Sequence, residues 1–256
     1  MVNGVLTGVV IGAITDTPGF KRLFNFQNNY NKLMNYEQAR FNMIEQQIRP
    51  WEVLDNQILS LLALVKREDF VPAIHADLAF ADLEIPLTSH LGKLPGQCML
   101  SPKVEARTLQ DLAVHKHETV LEIGTGSGYM AALLGHRAQQ VTTLEIDPDL
   151  AQTARANLQR AGLYNVDVQT ADGSALLAPN AAYDVILLSG SVARVPQDLL
   201  NGLKVGGRLF AIVGMPPMMR ATLAVRVGDK AWHTTEAWDT VAPRLLNFPE
   251  PSKFTF

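Results

Sequence analysis

Three glycines and one carboxylate carry the most chemical information in this chain. Gly124, Gly126 and Gly128 alternate within GTGSGY, and Glu145 follows 21 positions after the first of them. Glycine has no Cβ, so such a run lets the backbone turn sharply and approach a ligand closely. A carboxylate accepts hydrogen bonds and donates none, which suits it to the two hydroxyls of a ribose. The combination predicts a ligand that contains a nucleoside. Spacing alone leaves two loop chemistries open. A dinucleotide loop reads GxGxxG and seats a pyrophosphate on the helix N-terminus that follows. In this chain the third glycine arrives one place early, Tyr129 stands where that motif needs a small residue, and Glu122 precedes the turn in LEIGTGSG.

The flanking pattern supplies the frame for these residues. Thr119 to Ile123 is an apolar, β-branched run that reads as a strand, Tyr129 to Ala138 as a helix, and Val141 to Ile146 as a second strand with Glu145 near its tip. Asp147-Pro148 then starts a helix that Gly162 ends, and Val166 to Thr170 is a third strand leading into Ala171-Asp172-Gly173. Tyr183 to Leu188 and Arg208 to Val213 read as further strands separated by a short helix, Pro196 to Leu203. Ala221 to Val227 and Ala231 to Ala237 flank Gly228-Asp229 as a terminal hairpin. Upstream, Glu37 to Ile48 and Val53 to Val65 carry helical spacing and form an N-terminal cap, and Glu84 to Ser101 lacks periodicity and reads as a long loop. Pro102 opens the next helix, with Ser101 at its N-cap. The expected fold is α/β: a Rossmann-like, doubly wound, mostly parallel sheet with an antiparallel C-terminal hairpin and a helical cap.

The loop variant GTGSGY resembles the first motif of the S-adenosylmethionine-dependent methyltransferases, whose loop cradles a methionine moiety and needs no phosphate. Over roughly residues 38 to 230 the resemblance narrows further. MIEQQI, VLDNQILSLLALVKREDFVP, FADLEIPL, GQCMLSPKVEARTLQDL, LEIGTGSGYMAALL, ADGS, YDVILLSG and VPQDLLNGLKVGGRLFAIVG follow in the order of the protein-L-isoaspartate O-methyltransferase family. The resemblance implies that S-adenosylmethionine is the cofactor. It implies that Gly124, Gly126, Ser127 and Gly128 line its methionine end, that Glu145 holds the ribose, and that Ile146 flanks the adenine. Asp172 and Gly173 would sit at the adenine amino group, and the Gly96-Gln97 loop would close over cofactor and substrate. The implied reaction methylates a carboxylate on damaged protein or peptide bearing isoaspartate, and such an acceptor is nucleophilic without a strong base. The chain departs from the family's GQTISxP, reading GQCMLSP: Cys98 replaces threonine, Leu100 occupies the serine position, and Ser101 follows one place later. Ser101 is thus the candidate catalytic hydroxyl as well as a helix cap. Two alternatives stay open, a divergent methyltransferase with a small-molecule acceptor and a non-catalytic S-adenosylmethionine-binding protein.

Composition narrows the partners. The chain has 256 residues, 47% hydrophobic and 18% charged, with a net charge of -3 and no Lys/Arg run, which argues against nucleic acid as a partner. A single cysteine, Cys98, rules out an intrachain disulfide and suits a reducing cytoplasm. His115 and His117 lack further ligands nearby in sequence, so no metal is expected. The apolar run Val2 to Ile14 is too short to span a bilayer as a helix, and no membrane partner is expected. Residues 1–33 are expected to be a poorly ordered or spurious extension, and residues 34–256 the methyltransferase domain. Within it, 34–112 would form the helical cap and substrate loop, and 113–256 the Rossmann-like core. Oligomeric state is not legible.

Overall fold

The computed structural model describes residues 35–87, 96–175 and 182–251, so the expectation for residues 1–33 lies outside the described residues. The chain divides into two compact units, residues 1–42 and 43–256. The first holds most of helix α1 (Tyr36–Met43), which starts where the Asn35 side chain accepts the Gln38 backbone N–H at 3.0 Å.

In the second unit a π turn (Ile44–Ile48) replaces the end of the α-helix expected up to Ile48, and a 3-10 turn (Arg49–Trp51) follows it. Pro50 has no N–H to extend an α-helical ladder, and the backbone changes pitch ahead of it. Helix α2 (Asn56–Leu64) is capped by Asp55, whose carboxylate accepts the Gln57 N–H at 2.7 Å, and it buries Ile58, Leu59, Leu61 and Leu62. The stretch expected as loop is closed on itself: β1 (Ile85–Pro86) pairs antiparallel with β2 (Cys98–Met99). Helix α3 (Pro102–Leu112) follows, with Val104, Leu109 and Leu112 buried.

The core then alternates strand and helix: β3 (Thr119–Ile123), α4 (Tyr129–Arg137), β4 (Gln140–Glu145), α5 (Pro148–Arg160), β5 (Val166–Thr170), β6 (Tyr183–Val192), α6 (Gln197–Asn201), β7 (Leu203–Met215), β8 (Met218–Gly228) and β9 (Ala231–Asp239). These seven strands form one sheet in the order β5-β4-β3-β6-β7-β8-β9. The pairs from β5 to β7 are parallel, and β8 and β9 add the antiparallel edge. Because β3 and β6 are neighbours while the chain travels outward through β4 and β5 between them, the strand order reverses at β3/β6. Ligands of open α/β sheets bind at the carboxyl ends of the strands beside such a reversal.

An apolar cluster packs against the middle of the sheet. Leu121, Ile123, Ile186, Leu188, Leu199 and Leu209 are buried in one cluster that Phe248 completes from the C-terminal segment. Each such side chain contributes about 1.5–3 kcal/mol relative to exposure. Strand β6 runs four residues beyond the expected Leu188, with a register irregularity between Leu187 and Ser191 where Ser189 and Gly190 sit. Small residues hid that extension.

Candidate active site

The glycine loop leaves β3 and is fastened to the tip of β4. Gly124, Gly126 and Gly128 take φ of +95°, +55° and +85°, a region that side chains rarely tolerate. The Gly124 N–H donates to the Leu144 carbonyl at 2.9 Å, and the Gly126 N–H donates to Glu145 Oε2 at 2.8 Å. Glu145 Oε1 accepts the Asp147 N–H at 3.0 Å. Each carboxylate oxygen therefore keeps acceptor capacity for another donor. Burial raises the Glu145 carboxyl above the usual range, outweighing the backbone hydrogen bonds that lower it.

Beneath the loop lies a buried polar chain. Thr143 Oγ1 donates to Glu122 Oε2 and Ser189 Oγ donates to Glu122 Oε1, both at 2.7 Å, while Thr125 and Thr143 share a hydroxyl contact of 2.6 Å. Glu122 is fully buried, and burial pushes its carboxyl up to about 7 against those two hydrogen bonds, with Glu105 and Glu145 adding to the rise. A cation in the space above would favour its ionised form.

That space is a cavity of about 460 Å³ at the reversal of strand order. Seven of the nine expected cofactor residues line it: Gln97, Gly124, Gly126, Glu145, Ile146, Asp172 and Gly173. Ser127 lines a smaller cleft that shares Gly124, Gly126, Leu100 and Ser189. Gly128 lines neither; it turns the chain into α4 and packs against Ala154. Gly173 admits no side chain, since a Cβ there would overlap Ile123. Gln97 Oε1 is buried without a hydrogen-bond partner among the described residues, an acceptor left for a ligand donor. Asp172 stands at the end of β5. Burial would raise its carboxyl, but hydrogen bonds from Ser174 and Asn247 win and hold it below the usual range.

The sequence over this architecture decides the family. A profile described as Protein-L-isoaspartate(D-aspartate) O-methyltransferase matches residues 38–238. The chain belongs to that family. It is 39% identical over 179 residues to the protein-L-isoaspartate O-methyltransferase of Koribacter versatilis, covering 70% of this chain and 78% of the relative. The corresponding enzyme of Methanoculleus marisnigri is 38% identical over 175 residues, covering 68% and 77%. A Plasmodium falciparum protein-L-isoaspartate O-methyltransferase, crystallised with S-adenosyl-L-homocysteine, shares the fold with a TM-score of 0.66 at 16% identity, over 83% of this chain and 98% of its own.

This member of the isoaspartyl methyltransferase family places its candidate catalytic serine apart from the cofactor residues. Ser101 lines a separate cavity of about 330 Å³ with Trp51, Lys103, Arg107 and Trp238, and Leu100 lines both that cavity and the larger one. Ser101 occupies the N-cap position of α3, but its side chain makes no capping bond; its backbone carbonyl accepts Val104 and Glu105 N–H instead. The hydroxyl is thus left for another partner. Cys98 is no nucleophile in this setting: burial, reinforced by Glu84, pushes its thiol up to about 12.

Three features were not read from the sequence. The C-terminal segment supplies Pro243, Arg244, Leu245, Leu246 and Phe248 to the cavity wall, although nothing periodic in APRLLNFP announces it. Ser189 and Gly190 add to the wall from the irregular part of β6. Arg67, fully buried, pairs with buried Glu105, donates to the Leu100 carbonyl at 2.8 Å and lies 5.1 Å from the Tyr129 ring centroid. It pins the Gln97–Leu100 loop from below. An arginine in VKREDFVP carries no period that distinguishes it from a surface charge. Arg194, just past β6, is exposed and lines none of these cavities. His115 and His117 stack on each other at 5.9 Å, and among the described residues no group of three His, Cys, Asp or Glu is placed to hold a metal. Among the described residues no helix is long and apolar enough to cross a membrane.

Proposed function

We propose that this protein transfers a methyl group from S-adenosylmethionine to the side-chain carboxylate of an isoaspartyl residue in a protein or peptide. One observation carries the reading: a glycine loop whose Gly126 N–H is bonded to the Glu145 carboxylate, both lining a cavity at the reversal of strand order. The residues fit a nucleoside with a cationic amino-acid tail. Glu145 takes the ribose hydroxyls, Ile146 lies along the base, and Asp172 with Gly173 meets its amino group. Gly124, Gly126 and Ser127 wrap the tail, with Gly128 turning the chain into α4 behind them, and the unpartnered Gln97 Oε1 accepts from an ammonium.

The cofactor, when bound, supplies a methyl group on a positively charged sulfur. The chain's part is alignment and exclusion of water, because a carboxylate acceptor is already ionised at neutral pH and displacement neutralises charge. Leu87, Leu100 and Leu245 give the cavity apolar walls, where water competes poorly. Ser101, across Leu100 in the 330 Å³ cavity, handles the acceptor. Residues 34–256 form the methyltransferase domain, with 34–112 as cap and substrate loop and 113–256 as core. The lone Cys98 supports a cytoplasmic setting.

A second reading, methylation of a small carboxylate, draws on Leu100, an apolar side chain where the two cavities meet. Methyl-labelled S-adenosylmethionine offered with an isoaspartyl peptide, its aspartyl isomer and a panel of small carboxylic acids separates the two. Base-labile methyl ester on the isoaspartyl peptide alone is the expected result. Ester on a small acid and none on the peptide overturns the first reading; binding without any turnover leaves only a cofactor-binding protein.

A further inference from the structure

The C-terminal segment does more than end the chain. After β9 it runs back along the carboxyl end of β6: the Ser191 N–H donates to the Pro243 carbonyl at 2.8 Å, and the Leu245 N–H donates to the Ser191 carbonyl at 2.9 Å. Leu245 then lies against the glycine loop so closely that a Cβ on Gly124 would come within 3.0 Å of its Cδ2. Phe248 is buried in the core cluster. Between these two anchors Asn247 takes φ of +63°, a left-handed conformation that asparagine tolerates better than most residues. Its amide Nδ2 donates to Asp172 Oδ2 at 2.7 Å. Asn247 is itself exposed and does not line the cavity, whereas Asp172 does.

The other Asp172 oxygen is already engaged. Oδ1 accepts the Ser174 N–H at 2.9 Å and the Ser174 hydroxyl at 2.7 Å. Among the described residues Oδ2 carries only the bond from Asn247, so one acceptor position on it remains for a ligand. A carboxylate held by three donors is kept ionised and cannot itself donate. Such a group welcomes an exocyclic amine and repels a carbonyl oxygen in the same place.

We infer that Asn247 is a positioning residue for base recognition: it fixes the free acceptor position of Asp172 toward a purine amine and ties that recognition to the segment that walls the cavity. The inference rests on the proposed function, which supplies the adenine. Asn247 acts only through Asp172, so its removal changes which base is preferred more than how tightly the rest of the ligand is held.

Calorimetry on the full chain with S-adenosylhomocysteine and with its deaminated analogue, S-inosylhomocysteine, tests this. The wild-type chain is expected to prefer the amino base by about tenfold or more, the discrimination of one well-made hydrogen bond. Asn247→Gly keeps the left-handed backbone without strain and removes only the amide. It is expected to cut that preference severalfold by weakening the adenosyl ligand, with affinity for the inosyl ligand nearly unchanged. Asn247→Ser, which restores a donor, is expected to recover part of it. Equal loss for both ligands, or no change for either, overturns the inference while leaving the proposed function intact. A wild-type chain that binds neither ligand overturns both.

Discussion

Glu122 offers the sharpest test of the electrostatics beneath the glycine loop. Its carboxyl is fully buried and raised from an ordinary 4.5 to about 7, burial being the leading cause. A carboxyl whose folded value lies above its unfolded value contributes its full stability below the unfolded value and loses it as pH rises through the folded one. Between pH 5.5 and 8.5 that loss amounts to about 2 kcal/mol, at about 1.36 kcal/mol for each pH step between the unfolded and folded values, part of it having already gone by pH 5.5. Glu122→Gln abolishes the titration. It carries a roughly constant cost of about 1 kcal/mol, because Thr143 and Ser189 both donate to the carboxylate and one of them must reverse to meet an amide N–H. Urea unfolding of both proteins at the two pH values, without ligand, reads the difference. Relative to wild type, the variant should gain about 2 kcal/mol on going from pH 5.5 to 8.5. Glu105 contributes to the slope of both proteins and cancels in the comparison, apart from its interaction with Glu122. Parallel stability curves for the two proteins would refute the reasoning, since Glu122 would then ionise in the folded state as readily as in the unfolded one.

Other perturbations follow from the same geometry. Gly126→Ala places a Cβ 3.0 Å from Leu87 at φ of +55° and disturbs the N–H held by Glu145; S-adenosylhomocysteine affinity should fall at least about tenfold by calorimetry, and unchanged affinity would remove the loop from the site. Arg67→Met leaves Glu105 buried without its partner and should cost about 3–5 kcal/mol in urea unfolding, much of it recovered in Arg67→Met with Glu105→Leu; a single variant within about 1 kcal/mol of wild type would contradict this. Ser101→Ala should lower kcat/KM for an isoaspartyl peptide by about tenfold or more while leaving S-adenosylhomocysteine affinity unchanged, because the hydroxyl lines the acceptor-side cavity alone; the reverse pattern would place Ser101 on the cofactor side.

The cofactor half of the site was readable because it is local in sequence and bound to regular structure. The glycines follow directly on β3, and Glu145 and Asp172 stand at or just past the ends of β4 and β5, each strand announced by its own apolar run. The parallel sheet then does the rest, setting Glu122 opposite Thr143 and bringing Glu145 back to Gly126. Nothing comparable announces the other wall. Leu245 reaches Gly124 across more than a hundred residues of chain, through a segment with no period and no glycine turn, and Asn247 meets Asp172 only because a left-handed residue sits between half-buried Leu245 and buried Phe248. The acceptor side shares this opacity. Leu100 and Ser101 are adjacent in sequence, yet the step from extended backbone into α3 sends one to the cofactor cavity and the other only to its neighbour. Aligning a serine one place late therefore moves it between cavities rather than along one. The leucine that takes the inner position lines both cavities.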